Sequence, residues 1–137
     1  MSDYQALADF RYHIRRFLHF SEEAARLSGI EPHQHQLLLA AKGYDGKAGE
    51  GPTIGYLAER LQVRHHSAVE LIDRMASHGL VARVHNERDR RQVIVSLTRY
   101  GDRILRKLSA DHIRELGESG PALVAALESI VAEKVAR

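Results

Sequence analysis

The hydrophobic repeat of the chain changes period once. Val93, Val95 and Leu97 fall on every second residue, the spacing of one face of a β-strand, whereas apolar residues on either side recur at the three- and four-residue spacing of helices. Residues 80–85 can supply the partner strand. Between the two lies Asn86-Glu87-Arg88-Asp89-Arg90-Arg91, a charged run that reads as a hairpin tip. The expected fold class is mainly α with a small β-hairpin, and what that hairpin can do depends on the helices around it.

Four helices are expected upstream. Leu7, Phe10, Ile14, Phe17, Leu18, Ala24, Ala25 and Leu27 mark a first helix over residues 4–28, ended by Gly29. Pro32 opens a second over 32–42, because a proline in the first turn forfeits no helical hydrogen bond. Its run Leu37-Leu38-Leu39-Ala40-Ala41 is apolar nearly all round, which predicts burial on every side. Residues 43–52 hold four Gly and one Pro and read as a loop. Thr53 can cap a third helix carrying Ile54, Leu57, Ala58 and Leu61, and Gln62-Val63 gives a short break. A fourth helix over 65–78 buries Ala68, Leu71, Ile72 and Met75 and stops at Gly79.

Downstream, Thr98 can cap a helix with Ile104, Leu105, Leu108, Ile113 and Leu116, running to about residue 118. Gly120-Pro121 predicts its end, and Leu123, Val124, Leu127, Ile130, Val131 and Val135 predict a separate sixth helix. The 137 residues fit one domain.

Composition removes several classes of function. The absence of Cys excludes a disulfide framework, a thiolate metal site, a Cys nucleophile and a thiol redox switch. The first twenty residues contain Asp3, Asp9, Arg11, Arg15 and Arg16 with no signal-like apolar core, and no run approaches the roughly 20 apolar residues of a membrane span. A cytoplasmic protein without a membrane partner is expected. The acids are scattered, with no nucleophile and base or carboxylate pair in view, so neither an enzyme nor a cofactor is expected.

Two short helices joined by a tight turn and followed at once by a hairpin make a winged helix-turn-helix. In that motif the second helix enters the major groove of duplex DNA. Its exposed residues here are Arg64, His65, His66, Ser67, Glu70 and Arg74. Serine serves several bases, a glutamate accepts from cytosine, and an arginine forks onto guanine. Arg88, Arg90 and Arg91 crowd the hairpin tip, where a narrow minor groove and its phosphate walls attract guanidinium groups. Asp89 among them can hold one in a fixed orientation through a charge-assisted pair. The charge distribution agrees. The formal charge is only +2, yet residues 53–107 carry net +5, against −1 for residues 1–52 and −2 for residues 108–137.

The stretch Thr53-Ile54-Gly55-Tyr56-Leu57-Ala58-Glu59-Arg60-Leu61, then Leu71-Ile72-Asp73-Arg74-Met75 and Gly79-Leu80-Val81-Ala82-Arg83, resembles the helix-turn-helix of the MarR family of bacterial transcriptional regulators. Asp89-Arg90-Arg91, Val95-Ser96-Leu97-Thr98 and Gly101 are similar to that family's wing signature. The resemblance implies a homodimer that binds double-stranded DNA at a pseudo-palindromic operator, most simply as a repressor released by a small-molecule effector. It implies a winged helix over residues 32–98, with dimerisation helices over 1–30 and 99–137. It also carries the minor-groove role to Arg91, with Asp89 as its orienting partner, and the recognition-helix positions to His65, His66, Ser67 and Glu70; Thr53 belongs to the same interface.

The chain departs from the pattern in placing Arg64 where the family often has a capping Ser, and Glu70 where a basic or small polar residue is common. A small aromatic effector, as in many members, would be lined by Phe10, His13, Phe17 and Tyr44. Two other readings stand beside this one. Among nine His, His33 and His35 with His112, near Glu22 and Glu23, could make a zinc-responsive regulator if the fold joins them. A winged-helix protein-interaction module is the other, and three clustered guanidinium groups argue against it.

Overall fold

The computed structural model describes residues 2–46, 50–86 and 89–136, with side chains described as far as Ala132. Its elements are α1 (Asp3–Leu27), α2 (Pro32–Lys42), α3 (Ile54–Leu61), α4 (His65–Ser77), β1 (Val81–His85), β2 (Val93–Leu97) and α5 (Arg99–Ala136). The fold is thus mainly α with one antiparallel hairpin, and the start and stop signals before α5 act as expected. Thr53 Oγ1 accepts the Tyr56 N–H at 3.1 Å, Pro32 opens α2, and Gly79 ends the α4 segment at a φ of +74°, where a side chain would be strained.

Two expectations fail. The chain holds five helices among its described residues, not six, because Pro121 lies inside α5. Leu116, Leu123 and Ile130 recur two turns apart and are all half-buried, so one stripe continues through the proline, which sits on the exposed side. A missing amide costs about 3 kcal/mol, but it interrupts only one rung of the helix. Ser119 Oγ donates to the Glu115 carbonyl at 2.9 Å in the same stretch. The second failure is α2, which is not buried all round: Leu37, Leu38 and Ala41 face inward while Leu39 is exposed. Five consecutive apolar residues on a helix cannot all point to one side.

Helix α2 is the centre of the molecule. Its Leu37 and Leu38 join Leu57 of α3, Ile72 and Met75 of α4, Leu80, Val95 of β2, and Leu105 and Leu108 of α5 in one core. Each such side chain contributes about 1.5–3 kcal/mol when taken from water. Helix α1 packs chiefly along α5.

The hairpin and the long helix meet at a fixed joint. Thr98 Oγ1 donates to the Gly79 carbonyl at 2.6 Å, with the Leu80 carbonyl at 3.1 Å, and accepts the Gly101 N–H at 3.0 Å. Any Cβ at Gly101 would collide with the Leu80 carbonyl, so this first turn of α5 can lie so close only with glycine. In the same turn, Asp102 pairs with Lys42 at 2.9 Å and Arg106 at 3.0 Å. The hydrogen bond from Lys42, more than any other cause, holds the Asp102 carboxyl below its ordinary range.

Candidate nucleic-acid interface

Helices α3 and α4 are joined by three residues, 62–64. The turn is made by Gln62 in the left-handed region (φ 57°), its amide side chain donating to the Glu59 carbonyl at 2.9 Å. Val63 N then donates to the Ala58 carbonyl at 3.0 Å, which closes the end of α3. This places α4 against the core by Ala68, Leu71, Ile72 and Met75.

The opposite face of α4 carries the residues singled out by sequence. Arg64, His65, His66, Glu70 and Arg74 are exposed together. Ser67 is half-buried, one turn from Leu71 and so turned partly inward. Arg64 stands at the N-cap in extended conformation, and no side chain caps the helix. The amides of the first turn are therefore left for an external acceptor, and a phosphate oxygen satisfies them well.

The wing is built on the register Val81↔Leu97 to His85↔Val93. Thr53 bridges Ile94, and Val95 N donates to the Pro52 carbonyl at 2.9 Å, so the segment before α3 lies along β2. Thr53 therefore serves as cap and as strut under the wing.

At the tip, Asn86 is buried rather than part of a charged surface. Its N–H donates to the Gln92 carbonyl at 2.9 Å and its Nδ2 to Gln92 Oε1 at 2.7 Å. Gln92 N donates to the Asp89 carbonyl at 3.0 Å, and the His85 ring, through Nδ1, to the Arg90 carbonyl at 2.9 Å. Asp89 Oδ1 accepts from both Arg91 N (3.1 Å) and Arg91 Nε (3.2 Å), while the Arg91 side chain remains 93% exposed. The guanidinium is thus oriented at its root and open at its head. Arg90 is exposed beside it. Arg88 lies outside the described residues.

Sequence reasoning missed one contact that ties the two reading elements together. Arg83 of β1 donates to Asp73 of α4 through Nη2 and Oδ1. The partners are ten residues apart on different elements, so no local pattern announces the pair.

The proposed effector residues separate. Phe10, His13 and Phe17 lie on α1, where Phe17 meets His112 edge-on at 5.9 Å and His13 meets Tyr12 at 5.2 Å. Tyr44 packs against Tyr56 at 5.0 Å, beside a cleft of about 530 Å³ between the end of α2, β2 and the start of α5. The three histidines of the zinc reading also part. His35 and His112 pack together at 4.8 Å, whereas His33 faces the groove between α2 and α3. Among the described residues, no three His, Asp or Glu groups are placed to hold a metal ion, and no helix is long and apolar enough to cross a membrane.

Residues 28–92 match the family model described as MarR family. The chain is 31% identical over 80 residues to the HTH-type transcriptional repressor MdtR of Bacillus subtilis (strain 168); the alignment covers 58% of this chain and about half, 48%, of that protein. AbsC, a MarR family transcriptional regulator from Streptomyces coelicolor, has the same fold (TM-score 0.71, 22% identity, 98% of this chain and 96% of that one). So does the transcriptional repressor CouR bound to a 23-mer DNA duplex (TM-score 0.65, 26% identity, 93% and 89%). The helix-turn-helix and β1 lie in the segment that matches the MarR family model, and the chain shares the fold of solved regulators of that family.

Proposed function

We propose that the protein is a homodimeric regulator of transcription that binds duplex DNA, acting as a repressor released by a small molecule. The observation that carries this reading is the pairing of an uncapped, polar-faced α4 with a wing whose Arg91 is oriented by Asp89 and open to solvent. α4 supplies base contacts in the major groove through Arg64, His65, His66, Ser67, Glu70 and Arg74. Arg90 and Arg91, with Arg88, supply the minor groove and phosphate contacts. CouR, which shares the fold, has been seen on a DNA duplex, and this supports the same use of the winged helix here.

The dimer reading is supported by apolar side chains left exposed on α1 and α5, among them Tyr4, Leu7, Leu27, Ile113, Val124 and Val131. Residues 1–30 and 99–137 would then form the dimerisation region and 32–98 the reading head. The effector reading is supported by two proteins of the same fold, CouR with p-coumaroyl-CoA and BpsR with 6-hydroxynicotinic acid. A small aromatic acid or its coenzyme A thioester is the class to try first, with Phe10, His13, Phe17 and Tyr44 as the side chains to vary.

A gel shift on the DNA upstream of the protein's own gene tests the central claim. Binding should weaken steeply as salt rises, since each neutralised phosphate releases a counterion. A flat salt response, or no shifted fragment, would sink the reading. Adding simple phenolic acids to the same assay tests release.

A further inference from the structure

Helices α1, α2 and α5 meet at two imidazoles that DNA reading does not use. His35, in the first turns of α2, is 2% exposed, and its Nδ1 is buried without a hydrogen-bond partner. His112 of α5 lies against it, ring centroids 4.8 Å apart, with Phe17 and Phe20 of α1 edge-on to the His112 ring. His112 Nδ1 is 2.6 Å from the Leu108 carbonyl, and its Nε2 is 2.8 Å from the hydroxyl of buried Ser21.

The bonding fixes the proton inventory. A carbonyl only accepts, so His112 Nδ1 carries hydrogen, and neutral Nε2 accepts from the Ser21 hydroxyl. A second proton on His112 turns that hydroxyl round to accept and costs no partner. His35 has no such provision. Burial first, and the neighbouring charge of His112 second, lower its pKa to about 4. Of the elements packed around it, α5 presents His112, and Ser21, Phe17 and Phe20 of α1 contact the His112 ring. No carboxylate contributes to the shift that would favour a charged His35.

We infer that the His35–His112 pair is an acid-operated junction: protonation forces α2 away from α5 and α1, and so unseats the winged helix that α2 carries. Two imidazolium rings at this separation repel in a site closed to water, and His35 can hold a proton only by moving out to solvent. Because α2 holds the core of α3, α4 and β2, its displacement shifts the reading head relative to the long helix. The consequence for DNA rests on the reading given above; the junction itself does not. Exposed His65, His66 and His85 act in the opposite direction, since positive charge on that face strengthens binding to a polyanion. The sign of the pH effect therefore separates the two.

The test titrates the full chain from pH 7.5 to 4.5, comparing wild type with His35→Gln and His35→Phe. One readout is the urea midpoint; the other is anisotropy of a labelled duplex from the DNA upstream of its own gene. Wild type should lose stability below about pH 6.5 and lose duplex affinity severalfold across the same window, most steeply near pH 4.5. Both variants should flatten the stability curve, and His35→Gln should hold its affinity within about threefold. Parallel decline of variants and wild type, or affinity that rises with acid in wild type, overturns the junction. Should both variants fail to fold, amide resonances of wild type decide: residues 33–38 and 108–114 move together on acidification, and unmoved α2 resonances overturn it. A duplex left unbound at pH 7.5 would defeat the DNA reading, while the urea and resonance measurements still decide the junction.

Discussion

The winged segment and the helical platform of α1 and α5 are finished to different degrees. The segment from α2 to β2 packs Leu37, Leu38, Leu57, Ile72, Met75 and Val95 into a core that α5 completes with Leu105 and Leu108, and what it turns outward is mainly charge. The platform turns outward apolar side chains: Tyr4 is 87% exposed, Leu27 81% and Ile113 72%. One region buries its apolar side chains within the single chain and turns out a face suited to a polyanion. The other leaves apolar surface open, which in the proposed dimer a second copy of the chain covers. The difference teaches that a charge of +2 averaged over the chain describes neither part.

The comparison breaks most visibly where the platform is charged. Val124→Asp with Leu127→Asp should weaken the dimer by about a thousandfold, each removing about 2 kcal/mol of side-chain burial, and sedimentation should find a monomer of half the mass. A monomeric wild type would refute the contrast outright.

Leu37→Ala tests how firmly the winged segment is seated in the core it shares with α5. The loss should be about 3 kcal/mol in urea unfolding, from lost transfer energy and the cavity left behind. Acid should cost a similar amount at His35. Its folded pKa of about 4 lies below the unfolded value of 6.5, so the native state resists the proton. The associated stability is present above pH 6.5, is lost as pH falls toward 4, and totals on the order of 3 kcal/mol. Denaturant midpoints across that window check it.

Smaller effects belong to the charged face. Arg91→Ala should weaken duplex binding by roughly ten- to a hundredfold and reduce the salt dependence by about one phosphate, with the thermal midpoint unchanged. Asp73→Ala, which releases Arg83 from α4, should cost less than about 1 kcal/mol of stability because both side chains reach solvent. A larger loss would show that the recognition helix and the wing are one mechanical unit.

The sequence announced what is local. Periodicity, Pro32, Thr53, Gly79 and Thr98 placed the helices and the hairpin, and the arginine cluster placed the wing, because each signal lies within a few residues of its effect. Two kinds of feature escaped. Pro121 reads as a stop because local chemistry opposes helix there, whereas the stripe of Leu116, Leu123 and Ile130 carries the helix through. Asp73–Arg83, Asn86–Gln92 and His35–His112 pair residues that only the folded chain brings together. His35 did leave a trace: it stands one turn before Leu38, on the inward face of α2, where a surface histidine does not belong.

The joint at Thr98 has a mechanical consequence. A helix of 38 residues is about 57 Å long, and this one is bonded at its first turn to the root of the hairpin. It works as a lever with its pivot at the wing. Moving the distal end by about 3 Å rotates the pivot by only about 3°, given that length. A push applied near the pivot, at Asp102 or in the cleft beside Tyr44, turns the wing through a far larger angle for the same displacement.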